Sequence, residues 1–210
     1  MMGRPREFCP DQALERALEV FWRQGYEGAS LTDLTQSMGI TRPSLYAAFG
    51  NKEQLFRKAL DRYDERHRSS VSAALNEPTS RGAVERLLMG FAGIDQGEDD
   101  AVPRGCLMVQ GALACSEAGE SIRQELCARR AEGEARLRDR LQDLKAEGDL
   151  PEDADPCDLA RYVMTVANGM AVQAAGGASS ADLRRVVLLT MNGWPDRPLP
   201  PDDQGFRPKN

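Results

Sequence analysis

Apolar positions recur along most of this chain at the spacing of one helical face, and they predict an all-α protein. From about Asp11 to Gln24 the stripe is Ala13, Leu14, Ala17, Leu18, Phe21 and Trp22, and Gly25 ends it. Leu31, Leu34 and Met38 form the face of a short second helix, with Ser30 placed as its N-cap and Gly39 as its C-terminal stop. Ile40 tucks back onto the pair, and a third helix opens immediately. Thr41 caps it, Pro43 fits its first turn because a proline leaves no amide unpaired there, and Leu45, Ala48 and Phe49 face inward. A long fourth helix runs from Lys52 to about Leu75 through Leu55, Phe56, Ala59, Leu60, Tyr63, His67 and Val71.

Further helices follow the turn at residues 76–80. Ala83, Leu87, Leu88, Phe91 and Ile94 mark one. The acidic, breaker-rich DQGEDDAVP of residues 95–103 reads as a loop, and Arg104-Gly105-Cys106 opens a helix to about Ser116 that is apolar nearly all round, as a buried helix is. Residues 120–147 form a long amphipathic helix with Ile122, Leu126, Ala131, Leu137, Leu141 and Leu144 inward and a solvated face of alternating charges. The last two helices, within residues 157–193, carry broad stripes from Leu159 to Ala174 and from Leu183 to Met191. Packing inside one subunit and packing against a second copy account for those stripes equally well. Residues 195–210 contain five prolines and are expected to be a disordered tail.

The second and third helices with the tight turn between them make a helix-turn-helix, the unit that lays its second helix in the DNA major groove. Its outward positions are Thr41, Arg42, Ser44, Tyr46 and Ala47. An arginine suits guanine edges or phosphate, and hydroxyls and a phenol suit phosphate oxygens. Lys52 and the next helix N-terminus add a cation and unpaired amides. Residues 11–60 resemble the N-terminal domain of the TetR family of one-component transcriptional regulators. The resemblance is carried by Gly25-Tyr26, Ser30-Leu31-Thr32, Gly39-Ile40-Thr41, Leu45-Tyr46, Phe49, Lys52-Glu53 and Leu55. Two positions depart from the family pattern: Thr35 stands where alanine is usual, which weakens packing, and Ala48 where histidine is frequent, which removes a backbone contact.

The resemblance implies an N-terminal arm and helix-turn-helix head over residues 1–52, a connecting helix over 53–75, and a larger helical ligand-binding and dimerisation domain over 76–194. It implies a homodimer formed through residues 157–193, an inverted-repeat operator in double-stranded DNA, and release of repression by a small-molecule effector. The implied DNA-binding residues are Arg4, Arg6, Thr32, Thr41, Arg42, Pro43, Ser44, Tyr46 and Lys52. Arg4 and Arg6 sit on an extended basic arm of the kind that enters a narrow minor groove, or else serves only solubility. Candidate pocket residues, chosen for spacing and mixed polarity, are His67, Phe91, Cys106, Met108, Gln110, Met164 and Asn168.

Charge initially argues against a DNA binder: the net charge is −6. Divided, residues 1–68 hold 11 Lys plus Arg and 10 Asp plus Glu, whereas residues 69–210 hold 16 and 23. The acid lies in the other half, and binding follows local potential rather than net charge. Neither a membrane span nor a signal peptide is expected, since no run of about 18 apolar residues occurs and the N-terminus lacks an apolar core. A cytoplasmic protein is expected. Five cysteines without paired spacing suit a reducing compartment.

One histidine builds neither a metal site nor a catalytic triad, and no recognisable set of nucleophile, base and orienter occurs. No enzymatic activity, cofactor or metal is expected. Cys106, in the first turn of a helix beside Arg104, is placed where a helix end and a cation favour thiolate. A Gly-Cys-Leu segment of this kind resembles that of TetR-family regulators that respond to electrophiles, although a buried cysteine also serves as a small hydrophobe.

Overall fold

A computed structural model of the chain describes residues 8–93, 105–113 and 119–195, the side chains of Ala112 and Leu113 excepted. Arg4, Arg6, Ile94, the loop at 95–103, Arg104, Cys115, Ser116 and all but Pro195 of the tail lie outside the described residues. Nine helices and no strand occur among the described residues: α1 Pro10–Gly28, α2 Leu31–Met38, α3 Arg42–Phe49, α4 Lys52–Leu75, α5 Ser80–Phe91, α6 Leu107–Leu113, α7 Glu120–Ala146, α8 Pro156–Ala175 and α9 Ser180–Asn192.

Local chemistry sets most of these boundaries. Ser30 and Asp33 form a reciprocal capping box on α2, and Asn51 with Gln54 and Ser179 with Asp182 do the same for α4 and α9. Thr41 and Thr79 cap α3 and α5 through their hydroxyls. Asp155 accepts from the amides of Cys157 and Asp158 at the start of α8. Gly39 closes α2 in the left-handed conformation at φ 67°, which frees the chain to turn directly into α3. Gly25 breaks α1 at φ 70° and ψ 178°, but a last helical turn follows it, so α1 reaches Gly28 rather than stopping at Gln24.

Two hydrophobic cores result. The first joins α1 to α4 and includes Phe21 edge-on to Phe56 at 4.9 Å. It does not end with the head: Leu107 and Val109 of α6, Ile122 and Leu126 of α7 and Ala171 of α8 belong to the same cluster. The second is built from the end of α4, α5, the C-terminal half of α7, α8 and α9, and is closed by Trp194, whose Nε1 donates to Ser80 Oγ at 3.1 Å. Two alanines expected inside are exposed: Ala48 on α3 and Ala131 on α7. Ala48 lies at the margin of its stripe and Ala131 on the far side of the α7 stripe, and a methyl group has too little apolar area to decide which way a helix turns.

Val186, Leu188 and Leu189 of α9 are 39%, 47% and 70% exposed, and Tyr162 and Val172 of α8 are 48% and 46% exposed. These helices therefore carry a second, outward apolar stripe besides the one in the core. No helix among the described residues is long and apolar enough to cross a membrane.

Candidate nucleic-acid interface and interhelical cavity

The outward surface of α3 is small, polar and partly self-organised. Arg42 Nη2 donates to Thr32 Oγ1 at 2.9 Å, which ties the first residue of α3 to α2. The Thr41 hydroxyl lies 3.0 Å from that of Ser44 and accepts from the Ser44 amide at 3.4 Å. Thr32, Thr41, Arg42 and Pro43 are exposed, Ser44 is half-buried, and the Tyr46 ring stands out at 49% exposure. Lys52 is placed differently: its ammonium lies 4.6 Å from the centroid of the Tyr26 ring. Burial lowers its pKa, and the nearby Glu27 partly opposes that shift. Thr35, the departure from the family pattern, satisfies its hydroxyl by donating to the carbonyls of Leu31 and Thr32 at 2.8 and 3.1 Å.

Between the two cores lies a cavity of about 970 Å³, bordered by α1, α4, α5, α6, α7, α8 and the start of α9. Six of the candidate pocket residues line it: His67, Phe91, Cys106, Met108, Met164 and Asn168. Gln110 does not, since its side chain folds back toward Gly105. One wall is a stack of rings. Trp22 meets Tyr63 edge-on at 4.8 Å, and His67 lies over Tyr63 at 4.3 Å. Burial lowers the His67 pKa and so favours the neutral imidazole, against the opposing effect of its 2.8 Å contact with the Tyr63 carbonyl. Burial first, and then the adjacent Cys106, push the Tyr63 phenol well above its ordinary value.

Trp22 Nε1 donates to the Gly105 carbonyl at 3.1 Å and so pins the segment that delivers Cys106 to the wall. Gly105 is needed there. Its φ is 89°, and a Cβ would sit 2.7 Å from the Ala171 carbonyl oxygen. Cys106 itself is 8% exposed.

Arg129 of α7 reaches across to α4. Its guanidinium donates to Asp61 Oδ1 at 2.6 Å, Asp64 Oδ2 at 2.5 Å and Glu125 Oε1 at 2.8 Å. Glu125 also accepts from Arg57 Nε at 2.6 Å, so the network runs along α4 toward the head. Pattern reading did not single out Arg129, yet it left a trace. The buried stripe of α7 runs Ile122, Leu126, then Leu137, Leu141, Leu144. The missing turns hold Arg129, Arg130 and Gly133, all of which line the cavity. An interrupted stripe is the mark of a helix that borders a void.

Comparison with known proteins agrees with both halves of this description. Residues 13–59 match the family model for bacterial regulatory proteins of the tetR family, and residues 83–187 match the tetracyclin repressor-like C-terminal domain. The HTH-type transcriptional repressor ComR of Escherichia coli (strain K12) is 35% identical over 196 residues, covering 92% of each chain. A cysteine mutant of the TetR family transcriptional regulator CifR, solved with 26-bp double-strand operator DNA, is 42% identical with a TM-score of 0.85, covering 91% of this chain and all of that one. Reduced E. coli NemR, at 20% identity and TM-score 0.67 over 87% of this chain and 95% of that one, shares the fold. With both domains matched and a relative aligned over nearly the whole length, the chain belongs to the TetR family of bacterial regulatory proteins.

Proposed function

We propose that the protein is a homodimeric transcriptional repressor that binds an inverted-repeat operator through α3 and leaves it when the cavity between α4, α5, α7 and α8 is filled. The observation that carries this reading is the course of α4: one helix begins against the reading head and ends as a wall of the cavity. A ligand that prefers one tilt of α4 therefore prefers one spacing of the two heads, and its leverage equals its differential affinity for the two arrangements. A change from 1:99 to 99:1 occupancy of the operator-competent form requires about 5.5 kcal/mol. The outward stripes of α8 and α9 supply the dimer surface, and a two-fold dimer sets two copies of α3 in successive major grooves roughly 34–36 Å apart.

On the reading face, Arg42 takes a base edge or a phosphate, while Thr32, Thr41, Pro43, Ser44 and Tyr46 contact the backbone. Lys52 acts from its seat on Tyr26. Residues 1–52 then form the reading end, 53–75 the connecting helix and 76–194 the sensing and dimerising part, and the protein works in the cytoplasm, where its DNA is. An electrophile that enters the cavity meets the Cys106 thiol, which makes covalent capture a second way of filling it. Cys106→Ser should leave operator affinity intact and abolish release by a quinone. Retention of that release would assign Cys106 to packing alone.

The decisive experiment is a footprint on the DNA just upstream of the coding region, followed through a salt series. A protected inverted repeat whose affinity falls steeply with salt supports the proposal. Absence of binding to this DNA and to any sequence recovered by selection from a random pool would sink it.

A further inference from the structure

The charge around the cavity is not that of the chain. Six arginines line it, Arg66, Arg68, Arg86, Arg129, Arg130 and Arg136, against two carboxylates, Asp64 and Glu132, a formal surplus of four positive charges in a protein of net charge −6. Three of the six have carboxylate partners of their own: Arg66 pairs with Glu15, Arg86 with Glu77, and Arg129 with Asp61, Asp64 and Glu125. Arg130 donates to Cys127 Sγ at 3.3 Å. Arg68 of α4 and Arg136 of α7 have no ion-pair partner among the described residues. They stand on the two helices that Arg129 ties together, one turn beyond Asp64 on α4 and two turns beyond Arg129 on α7, and both are exposed, whereas the ring wall of Trp22 and Tyr63 is buried at 2% and 7% exposure.

The cavity thus has two chemically distinct ends. The inner end offers aromatic faces and sulfur from Cys106 and Met108, and its histidine is held toward the neutral form. The outer end offers two unengaged guanidinium forks, which match the planar, two-oxygen geometry of a carboxylate. We infer that the effector is an aryl organic anion of the carboxylate class, with its ring against the Trp22–Tyr63 wall and its charge between Arg68 and Arg136. The inference rests on the reading of this cavity as the effector site. A volume of about 970 Å³ admits a drug-sized molecule. Because Arg68 lies on α4, a carboxylate bound between the two arginines also draws on the helix that carries the head.

The test is calorimetric titration of the full-length protein with three probes that share one ring system and differ in charge: 2-naphthoate, 2-naphthamide and 2-naphthylmethylammonium. The expected result is saturable binding of 2-naphthoate about tenfold tighter than the amide, with the ammonium weakest. In the Arg68→Gln/Arg136→Gln double variant, 2-naphthoate should fall to the affinity of the amide while the amide is unchanged. Both substitutions are on exposed side chains, so folding is not at stake. Equal affinities for naphthoate and amide, a preference for the ammonium, a carboxylate preference that survives the double variant, or no saturable binding by any probe would each overturn the inference. Footprinting of the same preparations without probe separates this inference from the regulator reading. Operator binding without charge preference defeats the inference alone, whereas charge preference in a protein that binds no DNA defeats the regulator reading alone.

Discussion

Replacing Arg129 by Met removes the guanidinium that spans α4 and α7 while keeping an apolar stem of similar reach. Three carboxylates lose their partner, and their burial sets what each loss is worth. Arg129 and Glu125 are 21% and 22% exposed, so that pair sits in the partly desolvated range, worth about 1.5 kcal/mol. Asp64, at 37% exposure, contributes about 1 kcal/mol, and Asp61, at 63%, is close to a surface pair and adds at most about 0.5 kcal/mol. Glu125 keeps Arg57, which limits the damage. The expected loss is therefore 2–3 kcal/mol, or roughly 5–10 °C in Tm for a chain of this size. Protomer concentration must be held fixed, because the dimer equilibrium shifts Tm as well.

The pH dependence tests the cause. In the parent protein burial acts to raise the Glu125 carboxyl, but hydrogen bonds from Arg129 and Arg57 outweigh it and hold the group below its ordinary value. A depressed folded-state value means that Glu125 contributes stability above its unfolded value of about 4.3 and loses it as pH falls through the folded one. In Arg129→Met the Glu125 carboxylate keeps only Arg57, so less of its depression survives and less of its stabilising effect is left to lose in acid. The deficit measured by urea unfolding should then hold steady from pH 7.5 to about pH 5 and shrink by up to about half by about pH 3.5. A deficit below about 1 kcal/mol, or one of the same size at about pH 7.5 and about pH 3.5, would refute the assignment of this cluster as the tie between α4 and α7.

Arg42→Ala should cost about 1–3 kcal/mol in operator binding, concentrated at one base pair if the guanidinium reads an edge; the affinities of a set of single-base operator variants would reveal an even loss if it touches phosphate alone. Leu189→Asp on the outward face of α9 should weaken dimerisation by about 3 kcal/mol or more, since two leucines lose their burial across the two-fold; a dimer unchanged in sedimentation would move the interface elsewhere. His67 has a folded-state pKa depressed first by burial, so the unfolded chain takes up the proton sooner and stability falls as pH drops below about 6.5. His67→Gln should flatten the urea midpoint between about pH 6.5 and 5, and an unaltered slope would mean that another group titrates there.

The head was legible in sequence because each of its decisions is local. A serine, a glycine and a threonine fix the two ends of α2 and the start of α3, and the structure realises them as a capping box, a left-handed turn and a hydroxyl cap. The long α4 was equally plain from its period, and α7 was plain at its two ends, where Ile122 and Leu126, then Leu137, Leu141 and Leu144, keep the spacing. Polar side chains that answer to a distant partner were not legible. Lys52 reads as a free cation beside the helix-turn-helix, but its position is set by Tyr26, twenty-six residues earlier in the chain. Arg129 reads as one of many charges on a solvated face until α4 brings Asp61 and Asp64 to it. Gln110 fits a mixed-polarity pocket by spacing, and only the missing Cβ at Gly105 leaves room for its side chain to fold back there. Ala48 and Ala131 failed for the opposite reason, having too little surface to signal a side.

Because Leu107, Val109, Ile122 and Leu126 complete the core under α1 and α4, the reading head is not a detachable module. A chimera that exchanges residues 1–52 between two such proteins would seat foreign ring and methyl surfaces on this shared floor and inherit its misfits as altered tilt of α4. Operator preference can be transplanted with least disturbance by grafting only the exposed side chains of α2 and α3. Such grafts leave every buried neighbour in place, so the donor's base preference would be joined to the recipient's own response to its effector.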